Sequence, residues 1–133
     1  MSAERATYLD SSAIVKLAVR EPESAALRRY LRGKRALVSS ALARTEVARA
    51  LLPLGPAATD RGAAVLATLE LSRVNDRVLT DAGSLMPADI RSLDAIHLAT
   101  ARRFGADLAR VVTYDQRMAA AAKLLGCPVA SPG

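Results

Sequence analysis

Short apolar runs alternate along this chain with longer stretches of helical spacing, and a small polar or acidic residue marks each change. Ala6-Thr7-Tyr8-Leu9 predicts a strand closed by Asp10, after which Ser11-Ser12 opens an amphipathic helix from Ala13 to Val19. Pro22 at a first helical position and Gly33 beyond the end bound a second helix, Glu23 to Leu31. Ala36-Leu37-Val38-Ser39 predicts the second strand, and Ser39 or Ser40 caps a helix from Ala41 to Leu52 that ends before Pro53. A helix from Thr59 to Leu71 follows, then a short third strand at Arg73-Val74-Asn75, with Asp76 capping a segment that runs to Leu85. After the loop Met86-Pro87-Ala88-Asp89, Ser92 is read as the N-cap of a helix in which Leu93, Ile96 and Thr100 recur at helical spacing up to Phe104. Leu108 to Thr113 is the strongest strand, closed by Tyr114-Asp115. A helix from Gln116 to Leu125 and an edge strand at Pro128-Val129-Ala130 complete the pattern.

Strands alternating with helices predict an α/β domain around a mainly parallel sheet. In open sheets of this kind ligands gather at the carboxyl ends of the strands. The length of 133 residues suits one domain spanning residues 1–133 with a proper core, and 51% hydrophobic with 24% charged residues predicts a folded globule. Aromatic residues make up 3% of the chain and Trp is absent, which argues against a stacking platform for single-stranded bases. A formal charge of +6, carried mostly by arginine, points to a polyanionic partner. The single cysteine, Cys127, excludes an internal disulfide and a cysteine-built metal cage, and reads as a small buried residue. Met1-Ser2-Ala3-Glu4-Arg5 lacks a signal-peptide core and no apolar run is long enough to span a bilayer, so a cytoplasmic protein with no membrane partner is expected.

Four acids interrupt otherwise apolar surroundings. Asp10 and Asp115 each end a strand and precede a helix, where an N-cap is the plain explanation. Glu46 lies inside the third helix with Arg49 three residues on, an arrangement that as a surface pair contributes only tenths of a kcal/mol. Asp94 stands in the first turn of its helix, where the dipole favours an anion, with His97 three residues later as a hydrogen-bond partner. Jointly they say more: Asp10 and Asp115 project from one sheet edge, and Glu46 and Asp94 lie near the beginnings of helices entered from that edge. Crowded carboxylates repel and raise one another's pKa unless a cation neutralises them. A hard divalent cation, Mg²⁺ or Mn²⁺, suits oxygen ligands, and zinc suits them less without a Cys/His set.

The same residues carry a family resemblance. Tyr8-Leu9-Asp10-Ser11-Ser12-Ala13 resembles the opening motif of PIN-domain ribonucleases. Arg44-Thr45-Glu46-Val47 is similar to the segment of the second acid, and Leu93-Asp94-Ala95-Ile96-His97-Leu98-Ala99-Thr100-Ala101 to the third-acid helix, the most specific match. Val111-Val112-Thr113-Tyr114-Asp115-Gln116-Arg117-Met118 resembles the fourth-acid segment. The motifs occur in family order across nearly the whole chain, and the small size resembles the VapC toxins of bacterial VapBC toxin–antitoxin pairs. The resemblance implies a PIN-like three-layer sandwich, a mainly parallel central sheet flanked by helices. It also implies an endoribonuclease dependent on Mg²⁺ or Mn²⁺, inhibited by a VapB-like antitoxin and usually a homodimer. Asp10, Glu46, Asp94 and Asp115 are then the catalytic acids, with Asp10, Asp94 and Asp115 as metal ligands and Ser12 and Thr113 orienting them. Some family members carry a further acid just beyond the fourth; here Arg117 and Met118 follow, which leaves a second metal position without that ligand.

Other classes fit less well. A phosphoacceptor receiver domain wants an acidic pair after its first strand and a lysine at a later strand end. Here serines follow Asp10, and Lys16, Lys34 and Lys123 fall in or beside helices. A nuclease acting on DNA flaps usually adds large clamp elements, for which the chain has no room. A PIN-like module that binds RNA or a partner without cutting is the remaining alternative, opposed by the presence of all four acids. His97 is read as a support for Asp94 or the core rather than a base. The basic run Arg28, Arg29, Arg32, Lys34 and Arg35 suits RNA phosphates, but a solvated helix face is at least as good a reading, and no site is assigned to it.

Overall fold

A computed structural model of the chain describes residues 4–133. Met1, Ser2 and Ala3, part of the expected leader-free start, lie outside the described residues. The first half holds β1 (Ala6–Leu9), α1 (Ser11–Ala18), α2 (Ser24–Leu31), β2 (Leu37–Ser40), α3 (Ala43–Leu51), α4 (Pro56–Ala67) and β3 (Glu70–Ser72). The second holds α5 (Asp76–Gly83), α6 (Ser92–Arg102), β4 (Leu108–Val112), α7 (Gln116–Leu124) and β5 (Val129–Ala130).

All strand pairs are parallel, in the order β3-β2-β1-β4-β5. Parallel strands covered on both faces need apolar side chains in both directions, and β1 is buried at every position. Tyr8, Val38 and Val111 turn to one face, with Leu98 of α6 and Met118 of α7. Leu9 and Val112 turn to the other, against Ile14 of α1, Leu27 of α2 and Val47 of α3. The result is three layers, helices on both faces of the sheet, as the sequence predicts; the sheet is wholly rather than mainly parallel.

The strand order places the topological switch between β1 and β4, because the chain builds outward from β1 to β3 on one side and from β4 to β5 on the other. Leu9 lies opposite Val112 in register, so the residues that follow, Asp10 and Thr113, leave the sheet side by side. This crevice is the place where ligands gather in such folds.

Several local expectations shift. The third strand is Glu70–Ser72, not Arg73-Val74-Asn75, and α4 ends at Ala67, before the expected Leu71. Leu69 and Leu71 continue the apolar spacing of α4, but the sheet edge offers this segment parallel pairing with β2. α4 begins early because Pro56 follows Gly55 (φ 94°) and takes a first-turn position where its missing N–H costs nothing. Asn75, rather than Asp76, caps α5 by accepting the Val78 N–H at 3.0 Å. Arg91 occupies the N-cap of α6, which makes Ser92 its first helical residue. Pro22 lies in the turn before α2 rather than inside the helix.

Candidate active site

Asp10 follows β1 and caps α1, and its carboxylate joins that helix start to the end of β4. Its Oδ1 accepts from the Ala13 N–H at 3.0 Å and from Ser12 Oγ at 2.6 Å, and its Oδ2 accepts from the Thr113 hydroxyl. Ser12 Oγ accepts in turn from the Tyr114 N–H at 3.0 Å, and Thr113 Oγ1 from the Asp115 N–H at 3.1 Å. Both orienting residues expected from the sequence are therefore bonded to the first acid. Asp10 is 4% exposed, and this burial raises its pKa, opposed by the bonds from Ser12, Thr113 and Ala13.

Glu46 reaches the same crevice from α3, whose Val47 and Leu51 lie in the core. It does not pair with Arg49. Its Oε1 accepts from Ser11 Oγ at 2.6 Å and from His97 Nε2. Desolvation pushes its pKa up, but the bonds from His97 and Ser11 outweigh that and hold it below the ordinary carboxylate range. His97 is 2% exposed, and its other nitrogen, Nδ1, lies 2.7 Å from the Tyr8 hydroxyl, the two rings meeting edge to face. The expected His97–Asp94 bond is absent among the described residues. His97 looks inward to β1 and across to α3, contacts that lie 89 and 51 residues away in sequence and leave no local signal. Tyr8 and Ser11 are likewise site neighbours that sequence reasoning did not single out.

Asp94 enters from the first turn of α6 and takes no hydrogen bond from the described residues. Its pKa is raised first by desolvation and next by the Asp115 carboxylate, with smaller contributions from Asp10 and Glu46 that the His97 ring opposes. All four acids thus share one electrostatic neighbourhood. Asp115 caps α7, its Oδ1 accepting the Arg117 N–H at 2.9 Å and the Met118 N–H at 3.1 Å. No Lys or Arg among the described residues forms an ion pair with Asp10, Asp94 or Asp115.

Among the described residues, no group of three His, Cys, Asp or Glu side chains stands close enough to hold a metal ion as placed. The donor chemistry nonetheless fits a hard divalent cation: Asp10, Asp94 and Asp115 supply carboxylate oxygens only, their charges are unmatched by protein cations, and Asp94 is raised by the others.

Two clefts open beside the acids. One, of about 400 Å³, is lined by Asp94 together with Arg91 and Arg117. The other, of about 370 Å³, is lined by Glu46, Ser11, Ser12 and Lys16. The basic run, to which the sequence assigns no site, is exposed at Arg28, Arg29, Arg32 and Arg35, and it leads into the start of β2, the edge of the sheet opposite the acids. Cys127 is buried, as expected, and no helix among the described residues is long and apolar enough to cross a membrane.

Comparison with known proteins agrees with this architecture. A family model described as the PIN domain matches residues 7–124. Over 127 residues the chain is 64% identical to ribonuclease VapC46 of Mycobacterium tuberculosis, covering 96% of this chain and 98% of that one. The fold superposes on the crystal structure of Mycobacterium tuberculosis VapC20, described as a Sarcin-Ricin loop cleaving toxin. That match has a TM-score of 0.75 and 18% identity, over 87% of this chain and 95% of the other. It also superposes on a toxin–antitoxin complex from Klebsiella pneumoniae with a TM-score of 0.72 and 18% identity, over 96% of this chain and 98% of the other. A buried acid at the end of β1, a second on α3, a third on α6 and a fourth after β4, carried on this sheet and matched over nearly its full length, place the chain in the PIN-domain family, among its VapC ribonucleases.

Proposed function

We propose that the chain, as one domain, is an endoribonuclease toxin that hydrolyses RNA phosphodiester bonds with a divalent cation, Mg²⁺ or Mn²⁺, at the β1/β4 crevice. The observation that carries this reading is the placement of Asp94 beside the other acids with no Lys or Arg of the described residues paired to it, so that burial first and the Asp115 carboxylate next raise its pKa. When bound, such a cation neutralises charge on phosphoryl oxygens and makes a water more acidic. Asp10, Asp94 and Asp115 would hold it. Ser12 and Thr113 fix both oxygens of Asp10, so this ligand is oriented before any cation arrives. Glu46, kept ionised by His97 and Ser11, accepts a hydrogen bond from the attacking water and orients it in line with the leaving group. Arg91 and Arg117, in the cleft beside Asp94, offer charge to the flanking phosphates. No protein nucleophile is required.

The partners follow from the relatives. The structural neighbour solved as a toxin–antitoxin complex supports a VapB-like antitoxin that silences this chain. We also assign a homodimer in the cytoplasm, with light scattering of the purified chain as the check.

The deciding experiment is RNA cleavage by the purified chain with Mg²⁺ or Mn²⁺, with EDTA and with Asp94→Asn. Cleavage that needs the cation and falls on the order of 100-fold or more in Asp94→Asn supports the reading. Undiminished cleavage by Asp94→Asn removes the site assignment, and RNA binding without cleavage favours a non-cutting PIN-like module.

A further inference from the structure

His97 is the chain's only histidine, and both of its ring nitrogens are engaged inside the protein. An ionised carboxylate only accepts, so the Nε2 that meets Glu46 Oε1 carries a hydrogen. Ser11 Oγ donates to that same oxygen and stands 3.4 Å from Nε2, so two donors converge on Oε1. Glu46 Oε2 has no hydrogen-bond partner among the described residues, and the side chain, 23% exposed, lines the cleft. Behind the ring, Tyr8 holds Nδ1 from the most buried strand of the sheet. Its neighbours Ser39 and Thr100 direct their own hydroxyl protons to the Leu9 and Ile96 carbonyls and do not compete for Oε1.

A histidine placed here only to fill the core would be an expensive choice, because a buried polar ring needs partners that an apolar side chain of similar size does not. The partners it has lead in one direction, from β1 through α6 to the acid on α3. We infer that His97 is a positioning residue for the reaction: anchored by Tyr8, its Nε2–H pins Glu46 Oε1 and leaves Oε2 as the single oxygen available to the reacting water. Ser11 is the second pin. The inference deepens the ribonuclease reading and rests on it for the identity of the reaction. The contact itself does not depend on turnover.

The test combines kinetics with a measurement made without metal. Gln places an amide N–H near the position of Nε2, whereas Asn places one near Nδ1. RNA cleavage in Mn²⁺ is compared for His97→Gln, His97→Asn and His97→Ala, with folding checked by thermal melting. The expected pattern is a fall in kcat of tenfold to about a hundredfold for His97→Ala and His97→Asn, with KM within about twofold, and recovery of most of kcat by His97→Gln. Tyr8→Phe, which keeps the ring, is expected to lower kcat by a few-fold. In EDTA, two-bond proton–nitrogen NMR reads the lone imidazole directly; a hydrogen on Nε2 whose signal shifts in Glu46→Gln is expected.

Folded His97→Ala protein with wild-type kcat overturns the inference, as does equal loss in the Gln and Asn variants. If the alanine variant does not fold, Tyr8→Phe and the NMR signal decide. An Nε2 signal indifferent to Glu46→Gln also overturns it. Wild-type protein that cuts no RNA with either cation would instead defeat the ribonuclease reading, and the NMR result would still decide whether His97 holds Glu46.

Discussion

The Thr113 hydroxyl at the end of β4 donates to the carboxylate of Asp10 at the end of β1, joining the two central strands where their backbone pairing stops. Thr113 is fully buried, and its oxygen also receives the Asp115 N–H. Thr113→Val keeps the shape and removes both interactions, for a stability loss of about 1–3 kcal/mol by denaturant unfolding. The bond from Thr113 favours the charged form of Asp10, so its loss raises further a pKa that burial has already raised. The acid limb of the cleavage–pH profile is therefore expected to move to higher pH in Thr113→Val.

Asp94 presents the opposite case, a carboxylate whose ionised form costs stability. Burial, then Asp115, Asp10 and Glu46, make the folded protein hold the Asp94 proton more tightly than the unfolded chain does. A raised acid pKa gives a contribution to stability that is full below the unfolded value and is lost as pH rises through the folded one. At neutral pH the ionised group is thus destabilising, and Asp94→Asn is expected to raise Tm in EDTA by about 2–4 °C while cleavage falls. Added Mn²⁺ should raise the wild-type Tm more than that of Asp94→Asn. Calorimetry of the two proteins with and without Mn²⁺ reads both effects.

Glycine at position 62 lets α4 lie close against α3, the helix that presents Glu46. A Cβ there would meet Leu51 Cδ1 at 2.5 Å and Val47 Cγ1 at 3.3 Å, and both side chains are fully buried. Overpacking costs about 1–3 kcal/mol, and replacing a mid-helix glycine by alanine returns about 1. Gly62→Ala is expected to be destabilising by about 1 kcal/mol in urea unfolding, with a fall in kcat if α3 is displaced toward the crevice.

Arg117 shares a cleft with Asp94, whereas Arg28 belongs to the basic run that leads to the other edge of the sheet. If RNA phosphates pass over the acids, Arg117→Ala weakens binding and lowers the salt-dependence slope by about 0.7, the value of one single-stranded phosphate contact. Arg28→Ala should leave the slope unchanged. Binding of an uncleaved RNA at several salt concentrations separates them.

What the sequence made legible was the punctuation. A strand followed by Asp and then a helix announces both Asp10 and Asp115, because the same residue serves as N-cap and as edge carboxylate. Ser12 was visible because it lies two residues from the acid it bonds, and Thr113 because it precedes Asp115 in the same motif, although the carboxylate it bonds is Asp10, 103 residues away. Illegible were relationships made by topology alone. Nothing in the local pattern joins Tyr8 to His97 or His97 to Glu46; α6 and α3 lie on opposite faces of the sheet, and only the fold brings these side chains together beyond the end of β1. The charge pattern gave no guide to the site either: the densest basic run lies at the far edge, while the arginines beside the acids stand singly. β3 was displaced because three residues paired to an edge carry too little periodicity to outweigh the helical spacing of Leu66, Leu69 and Leu71.

On the proposed site, the pairing of β1 with β4 also sets the moment at which the chain can become active. The bond between Thr113 and Asp10 spans 103 residues of sequence, and Asp115 lies beyond it. A chain emerging from the ribosome can form α1 to α4 and the first strands, yet it holds no complete set of acids until β4 has been made and docked. The cluster is therefore completed only near the end of synthesis. A truncated or stalled product carries the opening acid, the second and even the third, but not the strand that clamps the first, so an interrupted copy is expected to be harmless to the cell that made it.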